Sequence, residues 1–532
     1  MTNSVTTPNV SSPLKAVGIP WFGLVAVLMG TFISTLNGRL SNFGLADIRG
    51  SLGAGFDEGA WITTAQAVGQ MLIAPVAVWA GATFGPRRCL IGAASAFAGV
   101  SLIIPMSRDL PTLLTLQFAS GLASGFFIPL TLSFILPNSP PKFWAFALAL
   151  YALNLELSLN IAASLEGWYV EHLSWHWIFW QNIPFAVLMG LCLRFGVVRD
   201  PIKPMRPPAD IFGMTFAGVG LALIYAGLDQ GNRLDWSSSG TVVGLLASGA
   251  LLFAAFFLHE ARTPHPLINL KVALGRPIPG ILLLIGFLRL TILATSFLIP
   301  QYLQVVRGFR ALEVGHTLLW IAAPQFVLCP IVALLLRRVD SRLIACIGFV
   351  LISIACLLVA HTLTPDWGSN EFLVSQLLQA VGQSFALSGV LLFGILHLNP
   401  QEAATFGAAV QTARLMGGEI GLAFVTTLTR VRGQTASNLI GLHVQSGDEA
   451  AHERLRMYGA LVSRAGSDPA IASARAAAML GGVVRRMASM QGIVDAFVVV
   501  GALTAVALVL AAAHRSAPRG PASHLPLFGQ AP

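Results

Sequence analysis

The chain consists of long apolar segments separated by short polar ones. Runs of about 20 apolar residues recur from residue 18 to residue 513, and each is long enough to cross the roughly 30 Å hydrocarbon layer of a membrane as an α-helix. The pattern predicts an all-α polytopic membrane protein with fourteen spans. The predicted spans are 18–45, 59–82, 88–106, 110–136, 142–166, 174–196, 209–229, 238–259, 278–304, 313–336, 341–362, 371–398, 403–427 and 491–513.

Composition supports this class of protein. Hydrophobic residues make up 55% of the chain and charged residues 10%, with a mean hydropathy of +0.74, whereas soluble domains carry roughly 25% charged residues. The five cysteines occur singly in apolar segments, so we expect neither a disulfide framework nor a metal site. No nucleotide-binding P-loop occurs in the sequence, and we expect no cofactor.

The basic residues predict the orientation in the membrane. An even number of spans places both termini on one side. If that side is the cytoplasm, cytoplasmic segments hold 16 Lys and Arg residues and short outer loops hold 5, in agreement with the positive-inside rule. This topology also explains the net charge of +9, so we predict cytoplasmic termini and no nucleic-acid partner.

Two segments of the chain resemble each other in layout. Residues 55–88 and 308–342 both begin with Gly-Phe, contain an apolar span with a proline (Pro75 and Pro330) and end in a basic turn. A parallel repeat is typical of transporters built from two six-helix bundles, here with two further spans inserted between them. Chance similarity between apolar segments is the alternative.

Several motifs carry a resemblance to a known family. They are the segment 55–88, the hairpin "EGWYVEHLSWHWIFWQNIPFAV" at 166–187, the turn "LDQGNRLDWSSSG" at 228–240 and "QTARLMGGEIG" at 411–421. On these motifs, the chain resembles the fourteen-span drug:proton antiporter branch of the major facilitator superfamily over residues 15–515. The resemblance implies a major facilitator fold and a multidrug efflux permease of the bacterial inner membrane, not an enzyme.

The resemblance also implies a domain organisation. The expected parts are a cytoplasmic N-terminus (1–17), an N-terminal six-helix bundle (18–198), a linker with two inserted spans (199–277), a C-terminal six-helix bundle (278–513) that includes an outer loop (428–490), and a cytoplasmic tail (514–532).

The chain departs from the family pattern at positions tied to coupling. The family's first span carries an acidic residue, where this chain has Asn37, and its fourth span carries an arginine, where this chain has Gln117. Ala162 and Ala163 replace a Gly-Pro signature in the fifth span, and Ala82 replaces an aspartate of the basic turn. We therefore expect a transporter fold without the standard proton route.

Span 1 contains an arginine and two asparagines. A charge at the bilayer centre costs roughly 2.5–3.5 kcal/mol, so it needs a partner, water or a function. Arg39 shares a helical stripe with Asn42, and Asn37 lies on the adjacent stripe. A polar arc of this width predicts that span 1 lines a water-filled cavity. The alternative is that Arg39 reaches the outer surface, only about 9 Å away along the helix.

Span 5 carries the best acidic candidate. Glu156 shares a stripe with Asn160, and Asn154 lies beside them, so the two asparagines are further cavity candidates. We predict that Glu156 couples transport to protons, because a carboxyl group enclosed in the membrane can bind and release a proton. A structural ion pair with Arg39 or Arg289 is the alternative.

The resemblance implies that spans 1, 4, 9 and 12 line the central cavity. Gln117 of span 4 and Arg289 of span 9 are therefore cavity candidates. Two arginines in one cavity, Arg39 and Arg289, favour anionic or carboxylate-bearing substrates, because a guanidinium group can bind a carboxylate with two hydrogen bonds.

Two sites are predicted to act in conformational change. The turn with Gly85, Arg87 and Arg88 is expected to contact the cytoplasmic ends of neighbouring helices, although the positive-inside rule also explains it. Arg414 is interpreted as structural or gating, and Glu419 as paired with a basic neighbour. The surrounding glycines predict close helix contact; they are Gly417, Gly418 and Gly421.

The outer loop 428–490 is rich in Ala and Arg and holds 8 basic and 4 acidic residues. Strong helix formers interrupted at Gly466 and Pro469 predict two short amphipathic helices. In similar fourteen-span exporters a loop at this place contacts a periplasmic adaptor, a membrane fusion protein. A solvated linker is the alternative.

Together these features predict a secondary active transporter that exports amphipathic, in part anionic, small molecules in exchange for protons. Its expected partners are the substrate, protons, the lipid bilayer and the adaptor. The alternative is a uniporter or importer of a specific organic acid, because the acidic and Gly-Pro features of the family's proton route are missing.

Overall fold

The computed structural model describes residues 20–138, 144–196, 209–264, 266–267, 278–397, 403–445, 449–464 and 469–514. Within these residues all regular secondary structure is helical. The predicted cytoplasmic N-terminus (1–17) lies outside the described residues, as do most of the predicted linker and, apart from residue 514, the predicted tail.

Predicted spans 1 to 6 are found in the first ten α-helices. Span 4 is made of two helices, because the first of them ends at Gly125. The ten helices are α1 (Pro20–Phe43), α2 (Leu45–Leu52), α3 (Phe56–Gly59), α4 (Trp61–Phe84), α5 (Pro86–Ile103), α6 (Leu110–Ser124), α7 (Phe127–Asn138), α8 (Trp144–His172), α9 (Trp177–Trp180) and α10 (Asn182–Gly196).

The inserted spans and the C-terminal bundle follow. Span 10 is also made of two helices, interrupted at Pro324, which lacks the N–H that a continuous helix would use. These helices are α11 (Ile211–Gly231), α12 (Gly240–Glu260), α13 (Ile278–Val305), α14 (Ala311–Ala322), α15 (Gln325–Leu336), α16 (Ser341–Thr362), α17 (Leu373–Ile395), α18 (Ala403–Gln445), α19 (Glu449–Arg464) and α20 (Pro469–Ala513).

Thirteen helical segments of the described chain are long and apolar enough to span a membrane. They coincide with thirteen of the fourteen predicted spans. The remaining one, 403–427, is helical as part of α18 but is too polar to meet the same criterion. It packs against α13 and α20, and its polar residues Gln411, Arg414 and Glu419 are buried inside the protein, so this helix does not need to be apolar on every side.

The two bundles meet through several pairs of helices. Helix α8 of the first bundle packs against α14, α15 and α17 of the second, and α7 and α4 pack against α18. We call the membrane face at which α1 begins and α20 ends the terminal face, and the other the distal face.

The turn after inserted helix α11 is bound to the first bundle at the distal face. Arg233 Nη1 lies 2.6 Å from Asp57 Oδ1. The Thr64 hydroxyl donates to the Asp229 carboxylate, and Gln230 Nε2 donates to Thr64 Oγ1 at 2.7 Å. These contacts join the end of α11 to α3 and α4.

The same turn is bound to the second bundle. Trp236 Nε1 donates to Thr427 Oγ1 at 3.0 Å. Arg430 Nε donates to Asn232 Oδ1 at 3.0 Å, and its Nη2 lies 3.2 Å from Asp235 Oδ1. The inserted helices therefore connect the two bundles at the distal face.

The segment predicted as an outer loop, 428–490, is helical over most of its described residues. Helix α18 continues to Gln445, and α20 already begins at Pro469. These helices have 43 and 45 residues, so each is about 65 Å long, roughly twice the thickness of the hydrocarbon layer. Of the two short helices predicted, one is found, α19, which packs against α20. The prediction of a second short helix is wrong, because that segment is the beginning of α20.

The predicted close helix contact at the glycines of α18 is confirmed. A Cβ atom at Gly417 would lie 2.5 Å from Gly286 Cα on α13, and one at Gly421 would lie 2.6 Å from Leu290 Cα. Only glycine permits this approach of the two backbones.

We expect Gly417→Ala to lower the melting temperature of the detergent-solubilised protein. The added methyl group meets backbone atoms that cannot rotate away, and overpacking of this kind costs about 1–3 kcal/mol. Gly92→Ala on α5 is the matched control, because a Cβ there has no atom within 4 Å and alanine favours a helix more than glycine. A melting temperature of Gly417→Ala equal to that of the unmodified protein would contradict the close contact.

Candidate functional site

A central cavity of about 130 Å³ lies between the two bundles and inserted helix α11. Its wall is built from α1, α4, α8, α11, α13 and α18 and carries charges of both signs. The polar side chains at the wall are Ser34, Thr35, Arg39, Asn42, Thr63, Gln66, Gln70, Tyr225, Asp229, Arg289, Arg414 and Glu419.

Helix α1 turns part of its polar arc towards the cavity. Arg39 and Asn42 lie at the wall, and Arg39 Nη2 donates to the carbonyl oxygen of Ser296 at 3.5 Å, so Arg39 points into the protein. Asn37 does not line the cavity. It is fully buried, and its Oδ1 accepts from Asn182 Nδ2 at 2.7 Å, which binds α1 to α10.

Two buried arginines face the cavity from the second bundle. Arg289 on α13 is 3% exposed, and its Nε and Nη1 atoms have no hydrogen-bond partner among the described residues. Arg414 on α18 is 4% exposed and donates from Nε to Gln411 Oε1 at 3.1 Å. The sequence-based interpretation of Arg414 as structural or gating did not anticipate its place at the cavity wall.

Glu156 is fully buried in α8 and is not among the residues that line the cavity. Neither of its carboxylate oxygens has a hydrogen-bond partner in the described part of the chain. The charges that act on it most strongly are those of Arg289 and Arg414. The alternative to a proton-coupling role was an ion pair between Glu156 and Arg39 or Arg289. This pair is not formed, since none of the ion pairs within 4 Å in the described residues includes Glu156.

Three other predicted cavity residues lie elsewhere. Gln117 is buried outside the cavity wall, and its amide atoms have no partner among the described residues. Asn154 Nδ2 donates to Thr31 Oγ1 at 2.6 Å and thereby joins α8 to α1. Asn160 Nδ2 donates to the carbonyl oxygen of Glu156 within the same helix, at 2.8 Å. Asn154 therefore serves a contact between helices, Asn160 bonds within α8, and neither lines the cavity.

The sequence analysis missed the acidic part of the wall. Tyr225 and Asp229 come from inserted helix α11, and Glu419 comes from α18. The Glu419 carboxylate faces the Tyr225 hydroxyl and interacts with Asp229. The expectation that Glu419 pairs with a basic neighbour is wrong, because no ion pair within 4 Å in the described residues includes it. The sequence signal for this part of the wall was Asp229, an acidic residue at the end of a predicted inserted span.

Of the two arginines in the basic turn, Arg87 contacts the end of a neighbouring helix, as the sequence suggested. Gly85 has φ = 88° and separates α4 from α5, a backbone conformation that favours glycine. Arg87 donates from Nε to the carbonyl oxygen of Leu193 and from Nη2 to that of Arg194, both at 2.9 Å. Arg88 is exposed. Arg87 therefore binds the end of α10 at the terminal face.

Two helical bundles around a polar central cavity are the architecture of a membrane transporter. The chain belongs to the Major Facilitator Superfamily, whose sequence model matches residues 27–422. It is a multi-pass membrane protein and a transporter rather than an enzyme.

Known proteins resemble the chain along most of its length. It is 25% identical over 427 residues to the probable multidrug resistance protein EmrY of Escherichia coli, covering 79% of this chain and 82% of that protein. It is 24% identical over 444 residues to the fatty acid resistance protein FarB of Neisseria gonorrhoeae, covering 83% and 87%. The crystal structure of the human organic anion transporter MFSD10 has the same fold, with a TM-score of 0.56 and 14% identity over 93% of this chain and 98% of that one.

We expect Arg87→Ala to lower the melting temperature more than Arg88→Ala. The first change removes two hydrogen bonds from a charged donor, each worth about 1.5–3 kcal/mol where buried and less at this partly exposed turn. The second removes an exposed side chain of the same type. Equal shifts for the two variants, measured by thermal unfolding in the same detergent, would mean that the contacts of Arg87 with α10 do not stabilise the fold.

Proposed function

We propose that this transporter exports amphipathic anionic small molecules across the bacterial inner membrane in exchange for protons. The observation that carries the proposal is the buried guanidinium of Arg289 at the cavity wall, whose Nε and Nη1 have no hydrogen-bond partner among the described residues. Arg414 lies at the same wall. An unpaired guanidinium away from bulk water is a strong site for a carboxylate, because hydrogen bonds between charged groups are short and strong there.

The relatives support export and an amphipathic substrate. EmrY is described as a probable multidrug resistance protein, and FarB as a fatty acid resistance protein. A fatty acid is an amphipathic carboxylic acid, which is the chemistry that an apolar cavity wall with unpaired arginines would bind. Leu159, Leu293, Leu415 and Leu422 supply the apolar part of this wall.

Glu156 is the proposed proton carrier. It is fully buried, its carboxylate lacks a hydrogen-bond partner in the described chain, and Arg289 and Arg414 act on it. The anionic substrate would bind the same two arginines, which lie at the cavity wall. Substrate and proton would thus interact through the same two arginines.

In this proposal both termini lie in the cytoplasm, and the distal face is periplasmic. The extensions of α18 and α20 together with α19 would then reach into the periplasm. They carry apolar side chains that are more than half exposed, namely Leu439, Leu442, Met457 and Leu461. Such a surface fits the periplasmic adaptor predicted for the segment 428–490.

A uniporter or importer of one organic acid is the second candidate. It is favoured by Asn37, which stands where the family carries an acid in the first span and which is bonded to Asn182 instead of facing the cavity. The two candidates differ in direction and in their dependence on a proton gradient.

Expression in an efflux-deficient bacterial host should raise resistance to anionic amphipathic compounds. In Arg289→Gln, we expect resistance to anionic compounds to fall about tenfold, while resistance to neutral compounds falls less, because a charged hydrogen-bond partner is worth about 1.5–3 kcal/mol. The measurement is growth across a panel of anionic, neutral and cationic toxic compounds. Increased sensitivity to any class would indicate uptake, and equal losses for all classes in Arg289→Gln would indicate a folding defect.

Glu156→Gln should abolish transport driven by a pH gradient in proteoliposomes, because the amide cannot bind or release the proton. Glu171→Gln is the matched control, since Glu171 is exposed at the end of the same helix. Both variants are first compared with the unmodified protein by thermal unfolding, so that misfolding is separated from loss of coupling. Undiminished gradient-driven transport in Glu156→Gln would remove this residue from the coupling mechanism.

A further inference from the structure

The cavity holds opposite charges that do not pair with each other. Arg39, Arg289 and Arg414 lie at its wall together with Asp229 and Glu419. The ion pairs within 4 Å in the described residues include none of these five side chains. Opposite charges in a space of about 130 Å³ attract one another strongly, so the surrounding helices must hold them apart.

The two carboxylates are held in place by neutral groups. Asp229 accepts hydrogen bonds from Thr64 and from Gln230 Nε2, the latter at 3.1 Å. Glu419 faces the hydroxyl of Tyr225. These contacts use donors from α4 and α11, so the acidic side of the cavity is part of the bridge between the bundles.

Buried polar atoms at the same wall also lack partners. Gln66 is 2% exposed and lines the cavity, yet neither its Oε1 nor its Nε2 has a hydrogen-bond partner in the described part of the chain. The Nε and Nη1 atoms of Arg289 also have no hydrogen-bond partner among the described residues. Buried polar groups are normally bonded, so both side chains point to a ligand with hydrogen-bonding groups of its own.

Arg414 and one of the two acids lie at different depths along α18. Arg414 and Glu419 are on one helix, five residues apart, which is an axial separation of about 7.5 Å. Glu419 is the one closer to the distal face, and Asp229 lies two residues before the distal end of α11. Arg39 lies at the same wall, donates to the carbonyl of Ser296 and lies over the ring of Phe43, while its Nε has no partner among the described residues.

From this arrangement we infer that the cavity binds amphoteric substrates, whose anionic group meets Arg414 and the unpaired Nε and Nη1 of Arg289 while a cationic group meets Asp229 and Glu419. This inference rests on the proposed function, since it keeps the arginines as the site of the anion. It adds a second subsite for an ammonium or amidinium group. A purely anionic ligand would leave the two carboxylates unpaired in a confined space.

A matched series of small ligands tests the inference on the full-length protein. 6-Aminohexanoate carries both charges, with six bonds between the nitrogen and the carboxyl carbon, whereas hexanoate carries only the anion and hexylammonium only the cation. Competition binding to the purified protein in lipid nanodiscs gives their affinities. We expect 6-aminohexanoate to bind about tenfold or more tightly than hexanoate, because the second subsite supplies a charge-assisted hydrogen bond.

The ratio of the two affinities is the readout in variants. In Asp229→Asn and in Glu419→Gln, we expect the preference for 6-aminohexanoate over hexanoate to fall towards one. Glu453→Gln is the control, because Glu453 is an exposed acid on α19, and it should keep the preference of the unmodified protein. Asp229 also takes part in the bridge to α4, so Glu419→Gln decides the test if Asp229→Asn lowers the melting temperature.

The outcomes separate this inference from the proposed function. If hexanoate binds and 6-aminohexanoate binds no better, the amphoteric inference is overturned and anion export stands. If neither compound binds, and longer alkanoates and ω-amino acids also fail, both are overturned. If the preference exists but survives Glu419→Gln unchanged, the cationic group binds somewhere other than the two carboxylates, and the subsite assigned here is wrong.

Discussion

The cost of placing a charge in hydrocarbon governs the arrangement of this protein. Each charged side chain at bilayer depth costs roughly 2.5–3.5 kcal/mol on insertion scales, and the chain carries several of them in its spanning helices. The structure directs Arg39, Asp229, Arg289, Arg414 and Glu419 to one cavity and encloses Glu156 beside it. Helix α18 owes its inner position to this constraint, because a helix with buried Gln411, Arg414 and Glu419 must be surrounded by protein.

The inserted pair of helices is more than a connection between two bundles. Its turn binds α3 and α4 on one side through Asp57 and Thr64, and α18 on the other through Thr427 and Arg430. The same helix α11 brings Asp229 to the cavity wall. A transporter that exposes its cavity alternately to each face moves one bundle relative to the other. The contacts that join the bundles at the distal face therefore lie where the motion of one bundle relative to the other would have to occur. They also lie next to groups that line the cavity.

The distribution of charge gives the cavity two chemically different sides. Arg289 and Arg414 supply basic groups to its wall, and Glu419 lies about 7.5 Å further along the same helix as Arg414. None of these groups is paired within 4 Å in the described residues. Neutral donors hold the acids, and unpaired guanidinium atoms remain on the basic side. The two arginines of the basic side also act on the buried Glu156.

Apolar run length determined the helical membrane class and the spans, because these depend on a property summed over about 20 residues at a time. The family was indicated by the resemblance of local motifs, such as the hairpin at 166–187. The polar stripe of α1 predicts a cavity at Arg39 and Asn42, and both line the cavity in the structure, since spacing along one helix is a local property. Tertiary structure decided which polar residues meet. Asn37 and Asn154 bind helices together and Asn160 bonds within its own helix, whereas Asp229 and Glu419 reach the cavity. The positions of the two acids depend on how α11 packs between α4 and α18. The sequence does not reveal this packing, because contacts between helices more than a hundred residues apart leave no periodic pattern in the chain.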